Sequence, residues 1–164
     1  MNPATISRED LSLRASQLGV VVNPIDSREK IMDNIYKKVC RPRLIQPTFI
    51  TAYPQDYLPL AKRVEGSSDL ADAFQLVIGG LELVKAFSEL NDPAEQATRF
   101  ATQEAKRAAG DKEAQSNDQD FIEALEYGLP PAGGVGLGLD RFVMLLTNTA
   151  NIREVIYFPI LKPR

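Results

Sequence analysis

Two groups of residues in this 164-residue chain have the types and spacing to do chemistry. The first is Gly134-Val135-Gly136-Leu137-Gly138-Leu139-Asp140-Arg141. Glycine at every second position strips one face of an extended segment to bare backbone, an entropic cost in a strand that suggests close approach by something flat. Arg141 follows at the end of that platform, and a guanidinium there suits an anion. The pattern leaves two readings open. Either the segment is a nucleotide platform with a phosphate on Arg141, or it is a tightly packed strand whose Arg is ion-paired to Asp140 or Glu154. The spacing is not the G-x-G-x-x-G of dinucleotide folds, and no lysine-containing phosphate loop is present.

The second group is Gln75, Glu82 and Glu89. Phe74–Ile78 and Leu81–Val84 are β-rich runs around Gly79-Gly80, the signature of a hairpin with a primed turn. That turn puts Val77 opposite Glu82 and makes Gln75 the diagonal neighbour of Glu82 on one face, where two oxygens could share a divalent cation. Glu89 lies an odd number of residues beyond Glu82 and so falls on the opposite face of a regular strand. A bulge near Val84-Lys85 is needed to bring both carboxylates to one site. Without one, the carboxylates read as a solvated strand face.

The elements that must hold these residues can be read along the chain. Ser7 caps a first helix, with Ile6 and Leu11 at staple positions and Gly19 at its end. Asp26 to Glu29 reads as a capping box, with Ile31, Ile35 and Val39 as the buried stripe of a helix running to about Cys40, where Pro42 stops it. Leu44–Thr51 reads as a strand, Tyr53-Pro54 and Leu58-Pro59 as loop, and Gly66–Asp69 as a turn. Asp92 and Pro93 start a helix whose apolar stripe is Ala97, Phe100, Ala101, Ala105 and Ala108. Phe121, Ile122 and Leu125 mark another, closed by Gly128. A helix over about 140–147 follows the glycine strand, and Val155–Phe158 reads as a last strand. Hairpins and helices without βαβ regularity give an α+β fold, with helices flanking an antiparallel sheet.

Composition narrows the chemistry. Apolar residues make up 44% and charged residues 25%, with a net charge of −3, the profile of an ordinary soluble domain rather than a free-standing nucleic-acid binder. No apolar run approaches the ~20 residues of a membrane span, and the N-terminus shows no signal-peptide pattern. The single Cys40 reads as a small buried hydrophobe in a cytoplasmic protein. There is no histidine, which removes Ser-His-Asp and Cys-His catalysis and His-ligated zinc. Catalysis must rest on carboxylates, Arg, Lys, backbone amides and oxygen-bound metal.

Several stretches resemble one family. Phe87–Pro93, Gly128–Pro131 and Gly134–Arg141, together with Ile45–Thr51 and Ile152–Pro159, are similar in order and kind to the C-terminal half of a class II lysyl-tRNA synthetase catalytic domain. The resemblance covers nearly the whole chain. It implies a single partial catalytic domain over 1–164, with a helical lead-in at 1–43 and a sheet core at 44–164. It also implies ATP-dependent activation of lysine for transfer to tRNA(Lys), in the cytoplasm. By position, Arg141 holds the terminal phosphate of ATP and acts in catalysis, Gly136 and Gly138 line the adenosine pocket, and Glu82 serves ATP and magnesium. Phe87 and Glu89 line the lysine pocket, Glu89 facing the ε-ammonium.

Three positions depart from the family, the least of them Leu58, which replaces a common serine in the loop before Pro59. Gln75 stands where the family has a magnesium-binding glutamate, which weakens the metal site. Lys85 stands where it has an asparagine in the lysine and ATP site, and a cation there repels lysine or folds onto Glu82 or Glu89. The chain also starts after the family's first two signature motifs and lacks the anticodon-binding barrel. The expectation is therefore a segment incompetent alone, self-associating or needing a complementary synthetase chain. The alternative is a catalytically dead relative that binds nucleotide, lysine or a partner as a regulator. A synthetase-like enzyme that lysylates a translation factor keeps the first two motifs and fits this length badly.

Overall fold

A computed structural model of the chain describes residues 6–111 and 114–160. Two short helices come first, α1 (Arg8–Gln17) and α2 (Arg28–Ile35). Ser7 Oγ accepts from Asp10 N–H, and Ile6 packs against a small core of Leu11, Ala15, Val20 and Ile31. The N-cap of α2 is Ser27, whose hydroxyl accepts from Lys30 N–H. Asp26, expected to cap, instead accepts from Asn23 N–H in the preceding turn. Beyond Ile35 the backbone widens into a π-helical turn at Tyr36–Cys40, then tightens into a 3₁₀ turn at Arg41–Arg43 that carries Pro42. Ile35 and Val39 still face the core, but Cys40 points outward and is exposed, contrary to the buried reading.

The sheet is antiparallel throughout and its order follows the chain: β1 (Thr48–Pro54), β2 (Leu70–Ile78), β3 (Leu81–Ser88) and β4 (Gly133–Leu137). β1 starts four residues later than the sequence suggests. Pro47 has no N–H to give a ladder, and the Leu44 and Ile45 carbonyls are taken by the Gly80 and Gly79 N–H groups. β1 also runs on through Tyr53-Pro54, read as loop, after a register shift at Ala52, which adopts φ 56°. At the hairpin tip Gly79 and Gly80 both have positive φ, 58° and 75°, as a primed turn requires.

Helix α3 (Pro93–Ala108) is capped by Asp92, whose carboxylate accepts from Ala94 and Glu95 N–H. Its buried face is Gln96, Phe100 and Gln103, not the alanines: Ala97, Ala101, Ala105 and Ala108 are exposed. The reason is polar anchoring. Gln96 and Arg99 donate to the Pro59 carbonyl, and Arg99 also to that of Ala61, which turns this face inward. Helix α4 (Gln119–Glu126) buries Ile122 and Leu125 and sets Phe121 6.1 Å from Phe100, ring centre to ring centre. Helix α5 (Leu139–Leu146) follows β4 directly and packs beside β3, burying Met144. The expected final strand at Val155–Phe158 is absent. A 3₁₀ turn at Ile152–Glu154 leads into bends, and Tyr157 and Phe158 are over nine-tenths exposed. β-propensity makes a strand only against a partner edge, and this segment joins no described one.

Candidate functional site

The central feature of the site is a bulge. Ile78 faces Leu81 and Val77 faces Glu82, but Leu76 then faces Val84 and Gln75 faces Lys85. Leu83 is the extra residue. Directly opposed residues share a face, so its insertion puts Glu82, Lys85 and Phe87 on the same face as Val77, Gln75 and Ala73. Glu89 continues that alternation. The bulge required to unite Glu82 and Glu89 therefore exists, one residue before the expected position. Gln75 keeps its expected place diagonal to Glu82, and the bulge sets Lys85 directly across from it.

β4 completes this face with glycine. Gly136 lies opposite Lys85 and Gly134 opposite Phe87. A Cβ on Gly134 would come within 2.1 Å of Glu89 Oε1. The bare backbone of Gly134 is thus the seat of the Glu89 carboxylate. Burial pushes the Glu89 carboxyl above its usual range. Its backbone is fixed by donation to the Ala132 carbonyl (2.9 Å) and a bridge to Ala61. Phe87 packs beside Leu58, Ala61, Ala71 and Ala73 and supplies an apolar wall. A partly desolvated carboxylate next to an apolar wall selects a cation carried on an aliphatic stem.

At the other end, Gly138 is the N-cap of α5, and its N–H donates to the carbonyl of the bulged Leu83 (2.9 Å). Arg141, in the first turn, donates from Nη1 to the Glu82 carbonyl (2.6 Å). It is not paired with Asp140 or Glu154, and the Glu82 carbonyl takes their place as its structural partner. The bulge thus anchors both the helix start and the guanidinium.

Sequence reasoning missed one role and two residues here. Gly134 was read as part of the platform but not as the seat of Glu89. Tyr36 is the first missed residue: its hydroxyl donates to Gln75 Oε1 (3.3 Å), and the π-helical turn carries it off the Ile31–Ile35–Val39 stripe. Tyr53 is the second, with its hydroxyl oxygen buried beside Tyr36 and Glu82 and making no well-formed hydrogen bond. Burial raises the pKa of both tyrosines, so both stay neutral. The bulge itself was foreseeable from the odd Glu82-to-Glu89 spacing; the tyrosines left no signal in the pattern.

Divalent metal is a poor match to this donor set. Among the described residues no three His, Cys, Asp or Glu side chains cluster for a metal. Gln75 is neutral and already accepts from Tyr36, and Lys85 stands opposite it. Of the two residues expected to hold the ion, Glu82 alone brings a charge, fewer anionic oxygens than a resident hard cation requires.

Comparison with known proteins decides the family. Residues 9–162 match the family model of class II tRNA synthetases (D, K and N). The chain belongs to this family. Among its relatives are the lysine–tRNA ligases of Pelotomaculum thermopropionicum, 53% identical over 147 residues, and Moorella thermoacetica, 50% identical over 156. That of Idiomarina loihiensis is 48% identical over 150 residues. These alignments cover 90%, 95% and 92% of this chain but 29%, 32% and 30% of the respective relatives. The chain thus spans about a third of the length of the curated class II ligases it matches. Its four-stranded antiparallel sheet with flanking helices is the α+β architecture of a partial class II domain. No helix among the described residues is long and apolar enough to cross a membrane.

Proposed function

We propose that this chain carries the ATP- and lysine-binding part of a lysine–tRNA ligase. The observation that carries the reading is a pair of anchored groups at the two ends of β3: Glu89 seated over Gly134, and Arg141 held by the Glu82 carbonyl. Lysine lies with its stem along Phe87 and its ε-ammonium on Glu89. ATP lies along the glycine strand, its adenosine near Gly136 and Gly138 and its terminal phosphate on Arg141. The lysine carboxylate oxygen attacks the α-phosphorus of ATP, a new P–O bond forms, and the bond to the bridging oxygen breaks. Pyrophosphate leaves toward Arg141, giving lysyl-adenylate. No protein nucleophile is needed, which suits a chain without histidine. Catalysis is positioning plus charge stabilisation. The magnesium expected at Glu82 and Gln75 narrows to Glu82 alone, too little to hold the ion without the nucleotide.

The 164 residues by themselves make a poor ligase on this reading. Among the described residues one arginine, Arg141, is fixed at the site, and in-line displacement needs the α-phosphate gripped as well. Transfer to tRNA(Lys), in the cytoplasm, belongs to an assembly that supplies what the relatives carry outside the aligned third. The exposed Phe49, Val135 and Leu137 on the opposite sheet face favour self-association or a complementary synthetase chain. Gln75 and Lys85 favour a second reading, a regulator that binds nucleotide or lysine without turnover.

Lysine-dependent ATP–pyrophosphate exchange on the pure chain tests competence. Background-level exchange is expected, and robust exchange contradicts incompetence. Thermal shift with ATP and with lysine tests the site: at ~100-fold saturation each adds roughly 2.7 kcal/mol. No shift with either ligand rejects the binding assignment.

A further inference from the structure

We propose that the Lys85 ammonium is an anion ligand of this site, contacting nucleotide phosphate and supplying there the positive charge that a magnesium ion otherwise brings. This deepens the nucleotide-binding reading above and rests on it.

The position of Lys85 is fixed by its neighbours. It sits in β3 directly across from Gln75 in β2 and from Gly136 in β4. Neither neighbour carries a charge. The residue is half-buried on the face that holds Glu82, Phe87 and Glu89. The ion pairs among the described residues do not involve it: neither Glu82 nor Glu89 comes within salt-bridge distance. A half-buried ammonium beside two carboxylates, yet paired with neither, is positioned to meet an anion from outside the chain.

Gly136 points the same way. A Cβ there would meet only the Lys85 carbonyl, at an ordinary 3.7 Å. The chain's own packing does not require glycine at that place, in contrast with Gly134. The bare backbone beside Lys85 is open to a ligand.

The charges then fit a polyphosphate. Arg141 is held at the Glu82 carbonyl, and Lys85 stands three residues farther along β3, roughly 7–10 Å away along the strand. Cations based that far apart, one held by a carbonyl and one on a long flexible stem, can flank one polyphosphate chain. The same residues disfavour a bound metal: Gln75 brings no charge, and Lys85, directly across from it, repels a dication from the spot. The tethered cation takes the place of the diffusible one.

The test is ATP affinity of the intact 164-residue chain, by titration calorimetry, in excess EDTA and in excess magnesium. Affinity in EDTA within about threefold of that in magnesium is expected. Lys85→Asn weakens binding in EDTA by about tenfold or more, the loss of a charge-assisted contact. Combining it with Gln75→Glu restores a magnesium requirement. If Lys85→Asn does not fold, Lys85→Gln serves in its place, and the wild-type comparison decides without either. A wild type that binds ATP only with magnesium overturns the inference and leaves the nucleotide-binding reading standing. So does undiminished EDTA affinity in the variant. No ATP binding in either buffer overturns the nucleotide reading itself, and this inference with it.

Discussion

The two faces of the sheet are built from alternate residues of the same four strands, yet they differ in kind. One face is closed and polar at its heart. Ala71, Ala73, Gln75 and Val77 of β2 are buried there, and Glu82, Lys85, Phe87 and Glu89 gather around bare glycine. The other face is open and apolar. Phe49 and Phe74 stack edge to face at 5.5 Å, Val135 and Leu137 are 73% and 48% exposed, and a groove of about 580 Å³ runs past Thr51, Ala86 and Gly133. The difference teaches that strand alternation alone separates placed charge from exposed apolar surface. The groove is lined by Asp72 on the open face and also by Phe87 and Gly134, so it reaches the glycine-lined face at the sheet's edge. On the proposed reading the first face binds through placed charges, while the second keeps its apolar side chains exposed.

One residue sets the geometry of the closed face. Deleting Leu83 removes the bulge and the carbonyl that accepts from Gly138 N–H, while Glu82 and Glu89, then an even number of residues apart, stay on one face. A cost of about 2–5 kcal/mol is expected from the lost buried side chain alone, with ATP binding weakened more than lysine binding because the start of α5 loses its anchor. Denaturant unfolding and calorimetry on the variant check both.

Arg141→Ala is the next largest change. Losing one charge-assisted contact lowers ATP affinity by about ten- to a hundredfold. The effect on lysine affinity is smaller, because the two groups lie at opposite ends of the site. Equal losses of both ligands would dissolve the distinction between the ends.

Gly134→Ala sharpens the comparison most finely. The added methyl meets the free end of a flexible side chain rather than backbone, so stability barely moves while the Glu89 carboxylate is displaced. Lysine affinity falls about tenfold, near the loss of one charged hydrogen bond, and ATP affinity holds. Gly136→Ala, with only an ordinary contact to its own chain, leaves the free protein's stability equally unchanged but obstructs ATP.

Glu89 also gives the closed face a pH signature. Its folded pKa lies above the unfolded one, because burial disfavours the charged form. Its contribution to stability is therefore complete below the ordinary carboxylate pKa and is lost as pH rises through the elevated folded value. Glu89→Gln flattens that part of the stability–pH curve. Lysine binding runs oppositely, since the ammonium needs the ionised carboxylate.

The smallest effect belongs to the open face. Phe49→Thr or Val135→Thr shifts monomer stability by within about 0.5 kcal/mol, but reduces self-association on size-exclusion chromatography.

How far the sequence foretold these features depends on where each structure is encoded. The Gly79-Gly80 hairpin, the Asp92–Pro93 cap and the glycine strand were legible because each needs a special backbone or a local partner. The odd spacing from Glu82 to Glu89 even implied a bulge. The late start of β1 was not legible, since it turns on which groups the Leu44 and Ile45 carbonyls accept from. Nor was the exposed alanine face of α3, which is set by Gln96 and Arg99 reaching carbonyls some 37 to 40 residues away. Tyr36 reaches Gln75 across 39 residues and only through a π-helical turn. Val155–Phe158 has strand propensity without a described partner, and propensity alone did not make a strand.

Ring-labelled phenylalanine NMR tests the central claim most directly, because Phe87 stands on one face and the Phe49–Phe74 pair on the other. Titration with lysine in the presence of ATP is predicted to move the Phe87 ring resonances and leave those of Phe49 and Phe74 in place. Movement of the Phe49 and Phe74 rings with Phe87 silent would contradict the assignment of the site to the glycine-lined face.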